Sequence, residues 1–455
     1  MKIDRRRLLA VSALTGAASA ATLATPAGAA PLSTFGVDAT QLGVRAGGGA
    51  DQSNMLQSAI DQTAGARVPL MLGPGEYRVG GLRLPGGTQI VGVRGATRLI
   101  FIGGQAMISA RAADHVTLAG LMLEGGGRPL PPNGALVDFA QCNDLRIMDC
   151  EVTGSGGGGI RLEGVQGSVS GATVSKTADV AIYSLDAQGL TIQNNTVRGA
   201  GNGGILVHRS AKGDDGTLVV DNRIEDIANV SGGSGQYGNA INVFRAGNVI
   251  VRGNRISRAA YSAVRGNSAS NIQITGNTAT ELGEVAIYSE FSFEGAVIAN
   301  NTVDGAALGI VVCNFNEGGR IAVVQGNIIR NLKPKRPIGT APDDDAGIGI
   351  YVEADSSVTG NVIENAPSFG IIAGWGKYLR DVAITGNVIR NAFVGVGVSV
   401  MPGAGTALVN NNMISETPRG AVVGLDHART ITTDLSAEGA QRYAQVVVGG
   451  NAVRR

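Results

Sequence analysis

Apolar residues along most of this chain come in short β-branched runs of three to five, alternating in and out and closed by Gly or Asn. That alternation predicts strands, with turns where Gly and Asn accept left-handed backbone. The runs also repeat. A Gly-Asn-Ile/Val type of tetrapeptide places Asn at 195, 222, 254, 277, 301, 327, 361, 387 and 412, with gaps of 27, 32, 23, 24, 26, 34, 26 and 25. A period in the twenties built from short strands predicts a stack of coils, each unable to bury its apolar face alone. Stacked at one corner, the Asn side chains can bond the coils above and below and form a register ladder.

Each Asn is followed by a second strand that begins Gly/Ala-Ile/Val, as at Gly204, Ala263, Ala286, Gly309, Gly370, Gly395 and Ala421. The spacing is eight or nine residues in seven coils, but 18 from Asn222 to Ala240 and 22 from Asn327 to Gly349. Insertions at one place in a coil map to one face of a solenoid. The segments 223–239 and 328–348 are therefore predicted to wall a trough about 19 Å long, four strand spacings of about 4.8 Å. Loops also vary on surfaces without function. Before the repeats, Asp51 to Gly65 reads as one helix with an apolar stripe of Leu56, Ala59 and Ile60, started by Asp51 or Ser53 and ended by Gly65.

The next segment carries Pro74-Gly75-Glu76-Tyr77 between two apolar strands. With the helix before it and the coils after it, the chain from about residue 36 to 455 resembles the pectate-lyase-like superfamily of right-handed parallel β-helices. The resemblance implies an all-β solenoid, here of about twelve or thirteen coils over residues 66–455, with residues 30–65 as an N-terminal segment and capping helix. It does not supply catalytic residues: the Asn-Thr-Asp, Asp-Asp and Gly-His-Gly signatures expected of a polygalacturonase on neighbouring coils are not evident. The ends of the chain add an address. Arg5-Arg6-Arg7 precedes an Ala/Leu-rich run and an Ala27-Gly28-Ala29 cleavage site, so residues 1–29 resemble a twin-arginine signal peptide. The expected partner during export is the Tat translocase, and the expected location is the periplasm or the extracellular space. The whole also looks like a Tat-exported repeat family of uncharacterised function.

Composition narrows the partners. The chain has 455 residues with 70 Gly, one Trp and 4% aromatics, which suits a narrow core of stacked Ile, Val and Leu. Net charge is +1 and no large basic block follows the signal, which argues against nucleic acid. No apolar run of about 20 residues predicts a membrane span in the mature chain. Cys142, Cys150 and Cys313 lack metal-type spacing and read as small fillers, and His115, His208 and His427 are scattered in the repeat.

Outward positions of the second strand between the two long segments hold the candidate chemistry. Arg265, Tyr288, Glu290, Tyr351 and Glu353 face one way, with Asn267 beside them and Tyr237 in the first insertion. Tyr288 and Tyr351 can stack on sugar rings, Arg265 can hold a carboxylate, and Glu290 and Glu353 can act as acid, base or nucleophile about 9.6 Å apart. Solvated polar residues on a sheet face are the bland alternative. Asp343, Asp344 and Asp345 offer oxygen ligands that Ca²⁺ takes, without EF-hand spacing and equally readable as a solvated acidic turn; no other cofactor is evident. The expected function is binding or processing of polysaccharide, by a lyase or a glycoside hydrolase if catalytic. The alternative is a non-catalytic envelope scaffold or adhesin-like binding module, and a phage-derived tailspike-like fragment is a third reading.

Overall fold

The computed structural model describes residues 35–233, 235–337 and 345–454. The predicted signal segment 1–29 and residues 30–34 lie outside them, as do Asp343 and Asp344. From Gly36 onward the described residues form one compact unit. It is a right-handed parallel β-solenoid of about 14 turns. That is one or two turns more than expected, and over residues 70–124 the strands stack in register without the Gly-Asn punctuation.

Each turn contributes three short strands, and like strands stack in parallel into three faces. In one turn these are Thr191–Gln193, Thr196–Ala200 and Gly203–Asp214. The first face runs from Val37–Asp38 to Val446–Gly449 as a single sheet of sixteen strands. Alternation supplies the core: in the third face, Ile160, Ile182, Ile205, Ile241, Val264, Ile287, Ile310, Ile350 and Ile371 stack in register and are buried. Parallel strands stacked this way pack like side chain on like side chain at each step.

The corner between the first and second faces holds the repeated asparagines. Asn195 donates from Nδ2 to Oδ1 of Asn222 at 3.0 Å and to the Val169 carbonyl of the preceding coil at 3.0 Å. The same pattern continues through Asn254, Asn277, Asn301, Asn327, Asn361, Asn387 and Asn412 to Asn451, with side-chain links of 2.9–3.0 Å. Asn195 to Asn412 are nearly or fully buried. Both amide hydrogens and the carbonyl oxygen are used, so a buried polar column carries no unmet donors. The residue just before each ladder Asn explains the alternation of Gly with Asn or Asp: Asn194, Asp221, Gly253, Gly276, Asn300, Gly326, Gly360, Gly386 and Asn411 all have φ near +60°.

The helix spans Ser53–Ala66 and lies against the first strands, burying Leu56, Ala59 and Ile60. Asp51 accepts from the Ser53 amide at 2.8 Å at its start. It runs one residue past the expected stop, because Arg67 at φ 56° and not Gly65 takes the left-handed closing position. Among the described residues no helix is long and apolar enough to cross a membrane.

The two long insertions are shorter than their spacing suggested. Arg223–Ile227 is a strand of the second face and Asn239–Gly247 one of the third, so the first loop is 228–238. The second joins Ile328–Arg330 to Ile348–Val352.

Candidate functional site

From Val285 onward the third face carries apolar side chains on its outer as well as its inner side. Its inward residues fill the coil, and its outward residues form a second buried cluster that includes Leu308, Val311, Cys313, Ile348, Phe369 and Ile372, with Tyr288 and Tyr351 packed against it. Side chains predicted to point outward do so, yet Glu290, Cys313 and Glu353 are only 3%, 6% and 6% exposed. What covers them is the chain that follows each strand and the first insertion.

The first loop lies down on the face. Arg265 donates to the Gly235 carbonyl, and the Tyr261 hydroxyl donates to the Gly233 carbonyl at 2.7 Å. Under it, Arg265 donates from Nε to Oε1 of Glu290 at 2.6 Å, and Asn267 donates to the same oxygen at 2.9 Å. The Arg265 fork that could have held a ligand carboxylate is thus engaged by Glu290. From the second insertion, Arg336 donates to Glu284 at 2.7 Å and Lys333 to the Leu282 carbonyl at 2.7 Å. The walls of the expected trough are therefore straps tied to the floor.

An open cavity of about 520 Å³ remains on the C-terminal side of these straps. Leu308, Ile348 and Ile372 floor it, and Tyr351, Trp375 and Tyr378 ring it, with Glu353, Asn314, Asn316 and Arg336 among its polar groups. Tyr351 lies on the strand Ile348–Val352 and Glu353 directly follows it, on outward positions two residues apart. The Tyr351 hydroxyl donates to Oε1 of Glu353, and the Phe315 amide donates to Oε2 at 2.6 Å. Asn314, at φ 66°, turns the chain into the short helical segment Phe315–Glu317 and aims that amide.

Trp375 and Tyr378 were not singled out from the sequence. They close a tight hairpin, with the Trp375 amide on the Tyr378 carbonyl at 3.1 Å and the reverse bond at 3.0 Å. Gly376 has φ 56°, and a Cβ there would stand 2.8 Å from Nε2 of His427, so glycine lets the turn close. The Trp375 ring meets Tyr351 edge-on at 6.3 Å and His427 at 5.2 Å. Behind them Arg380 lies 4.5 Å from the Phe315 ring centre and binds Asp355 through two bonds of 2.8 and 2.5 Å.

Burial sets the electrostatics. It pushes the Glu353 carboxyl above its ordinary value, against the opposing pull of the Tyr351 hydroxyl and the Phe315 and Asn314 amides. Glu284 is raised by burial too, with Arg336 opposing. The Tyr288 and Tyr351 hydroxyls and the Cys313 thiol are held well above their usual ranges, again chiefly by burial. Burial here works against the charged forms of Glu353, Tyr351 and Cys313.

Of the residues singled out from the sequence, Tyr351 and Glu353 enter this cavity. Arg265, Asn267 and Glu290 form a closed cluster under the first loop, with the rung of Val311 and Cys313 between Glu290 and Glu353. Tyr288 packs in the outward apolar cluster, its hydroxyl 3.7 Å from the Cys313 sulfur. Tyr237, in the first loop itself, lines a separate cavity on its N-terminal side. Asp345 lines the cavity, and its carbonyl accepts from Arg336 at 3.2 Å. Among the described residues no group of three or more His, Cys, Asp or Glu could hold a metal ion.

Fold and site together define a right-handed parallel β-helix with an aromatic cavity built onto one face. The right handed beta helix region family matches residues 115–235, 158–317 and 211–380, overlapping segments that cover more than half of the chain, and the chain belongs to that family. No curated protein matches its sequence. Among solved structures, the N-terminal fragment of bacteriophage phi29 gene product 12 is similar at 15% identity and a TM-score of 0.54, over 93% of this chain and 71% of that one. The catalytic unit of a thermostable GH87 α-1,3-glucanase from Streptomyces thermodiastaticus is similar at 15% identity and 0.51, over 94% and 70%. PfbA, a surface adhesin of Streptococcus pneumoniae, is similar at 14% identity and 0.50, over 88% and 96%. At these identities the likeness is one of fold.

Proposed function

We propose that this chain is an exported saccharide-binding β-helix whose site is the cavity ringed by Tyr351, Trp375 and Tyr378. The observation that carries it is the pairing of an apolar floor with three aromatic rings and buried polar groups in one open cavity of about 520 Å³. A pyranose has apolar C–H faces and a polar hydroxyl rim, and this surface offers a complement to both. The glucanase and the adhesin that share the fold support a glycan-acting or surface-binding class. The twin-arginine-like segment 1–29 supports export to the periplasm or beyond through the Tat translocase.

Trp375 is the chain's only tryptophan, so its fluorescence reports on the cavity directly. Titration with neutral and uronate oligosaccharides, with and without Ca²⁺, should give a saturable change. Tyr378→Ala should weaken it about tenfold, the factor that corresponds to roughly 1.4 kcal/mol. A Ca²⁺ requirement would assign the loop of Asp343, Asp344 and Asp345 a role as metal ligands. No fluorescence response to any saccharide would overturn the reading.

A second reading is favoured by the Glu353 carboxyl, which burial holds toward its protonated form inside the cavity. Glycoside hydrolysis needs such an acid, with a second carboxylate as base. Glu290, the second carboxylate expected from the sequence, lies two rungs away, held by Arg265 and closed under the first loop. It could serve as base, with Arg265 as its positioning partner, only where that loop lifts. Shortened chains without unsaturated ends, lost in Glu353→Gln, would establish hydrolysis; unsaturated ends would establish a lyase. Intact polysaccharide together with a Trp375 response leaves a binding module.

A further inference from the structure

On the N-terminal side of the first loop, the same face carries a second cavity of about 410 Å³. Tyr183, Leu185, Leu206, His208, Gln236 and Tyr237 line it. It lies on the rungs of Arg161, Tyr183 and Leu206, and four rung spacings, about 19 Å, separate Leu206 from Val311 beside the first cavity. The two sites are separate.

Three features give it a chemistry. His208 is wedged edge-on between Tyr183 at 5.3 Å and Phe244 at 5.5 Å, and its Nε2 is buried with no hydrogen-bond partner among the described residues. An orphaned buried ring nitrogen is costly unless something meets it. Burial, with Arg265 acting in the same direction, lowers the imidazole to about 4, so it is neutral near pH 7. Its charged neighbours are already engaged: Arg161 binds Glu163 at 2.6 Å and Asp138 at 3.2 Å, and Asp179 accepts from Asn202 at 2.9 Å. Arg161, the one cation among the described residues that line the cavity, is therefore already neutralised and not free to compensate an incoming carboxylate. Leu185 and Leu206 add an apolar floor, and Tyr237 a half-buried ring at its edge.

We infer that this cavity is a second, independent binding site for a neutral saccharide unit, with a sugar hydroxyl meeting the His208 imidazole and a ring face against Tyr183 or Tyr237. A hydroxyl suits either tautomer, because it donates and accepts. Uronates are disfavoured because Arg161, the cation that lines the cavity, is already paired with Glu163 and Asp138.

The test is calorimetry on Trp375→Ala, which removes the first site's central ring, using maltotriose, nigerotriose and trigalacturonate as probes. One site should persist for a neutral trisaccharide, with trigalacturonate weaker. His208→Phe, which keeps the ring packing, and Tyr237→Ala, on the loop, should each weaken it about tenfold. No heat from either neutral trisaccharide, or binding that ignores both substitutions, would overturn the inference. The first cavity is read separately, by Trp375 fluorescence in the unsubstituted chain. A silent Trp375 with His208-dependent heat would sink the first reading and leave this one standing.

Discussion

Arg265 and Glu290 stand on neighbouring rungs of the third face, joined by a 2.6 Å bond from Nε to Oε1, with side chains only 14% and 4% exposed. Both point away from the core of the coil, and both are shut off by the first loop, whose Gly235 carbonyl accepts from Arg265. The pair ties the loop to the sheet and leaves the open chemistry to the cavity around Glu353.

Breaking this pair on one side should be far worse than removing it whole. Arg265→Ala leaves Glu290 buried with only Asn267 as donor, and a loss of about 3–5 kcal/mol is the expected scale for an uncompensated buried charge. Arg265→Met with Glu290→Met should lose much less. Denaturant unfolding of the three chains checks it; equal losses would mean that the pair is not buried in solution.

The Asn ladder should be structural only. Asn277→Ala removes a side chain that bonds Val251 and Asn301 at 3.0 Å and receives Asn254 at 2.9 Å, leaving buried partners unmet on both neighbouring coils. The expected loss is about 1–3 kcal/mol. Trp375 fluorescence titrations should be unchanged in the folded variant, and a shift in saccharide affinity there would contradict a purely structural column.

That ladder is also where the sequence was most readable. Its asparagines recur because one corner geometry recurs, and the residue before each is Gly, Asn or Asp because φ is positive there. The outward faces of Arg265, Glu290, Tyr351 and Glu353 followed from strand alternation alone. What alternation could not show is that the loops fold down onto those residues, since that depends on single contacts such as Tyr261 to Gly233. Trp375 was missed for a related reason. It lies in the connection after the strand Val362–Ala373, outside the spacing from Asn to the Gly/Ala strand that exposed the two long loops. A lone Trp between two glycines was the available signal.

All three thiols should be silent in the folded chain. Cys142, Cys150 and Cys313 are buried and unbridged; burial raises each thiol, Cys150 to about 11 and Cys313 well above its usual range. Reactivity follows the thiolate, which is scarce here and out of reach. A colorimetric thiol reagent at pH 7 should find none before denaturation and all three after it. Rapid labelling of Cys313 in the native state would show that the cover over the third face opens.

Glu353 gives the stability of the chain a pH signature whose sign is fixed. Its carboxyl is raised above the ordinary value of 4.5 because burial disfavours the charge more than Tyr351 and the Phe315 amide support it. The folded chain therefore holds this proton more tightly than the unfolded one. Well below pH 4.5 both states are protonated and the contribution is fully present. As pH climbs, the unfolded chain releases the proton first, so stability falls until the folded carboxyl ionises as well, and is level above that. Glu284, also raised by burial, acts in the same direction. Glu353→Gln cannot ionise, so its unfolding free energy should gain on the native chain through that window and run parallel to it on either side. Unfolding curves at a series of pH values for both chains read the difference directly. If the native chain instead gained on Glu353→Gln as pH rose, the folded state would be stabilising the carboxylate, and Glu353 would lose its standing as the cavity's acid.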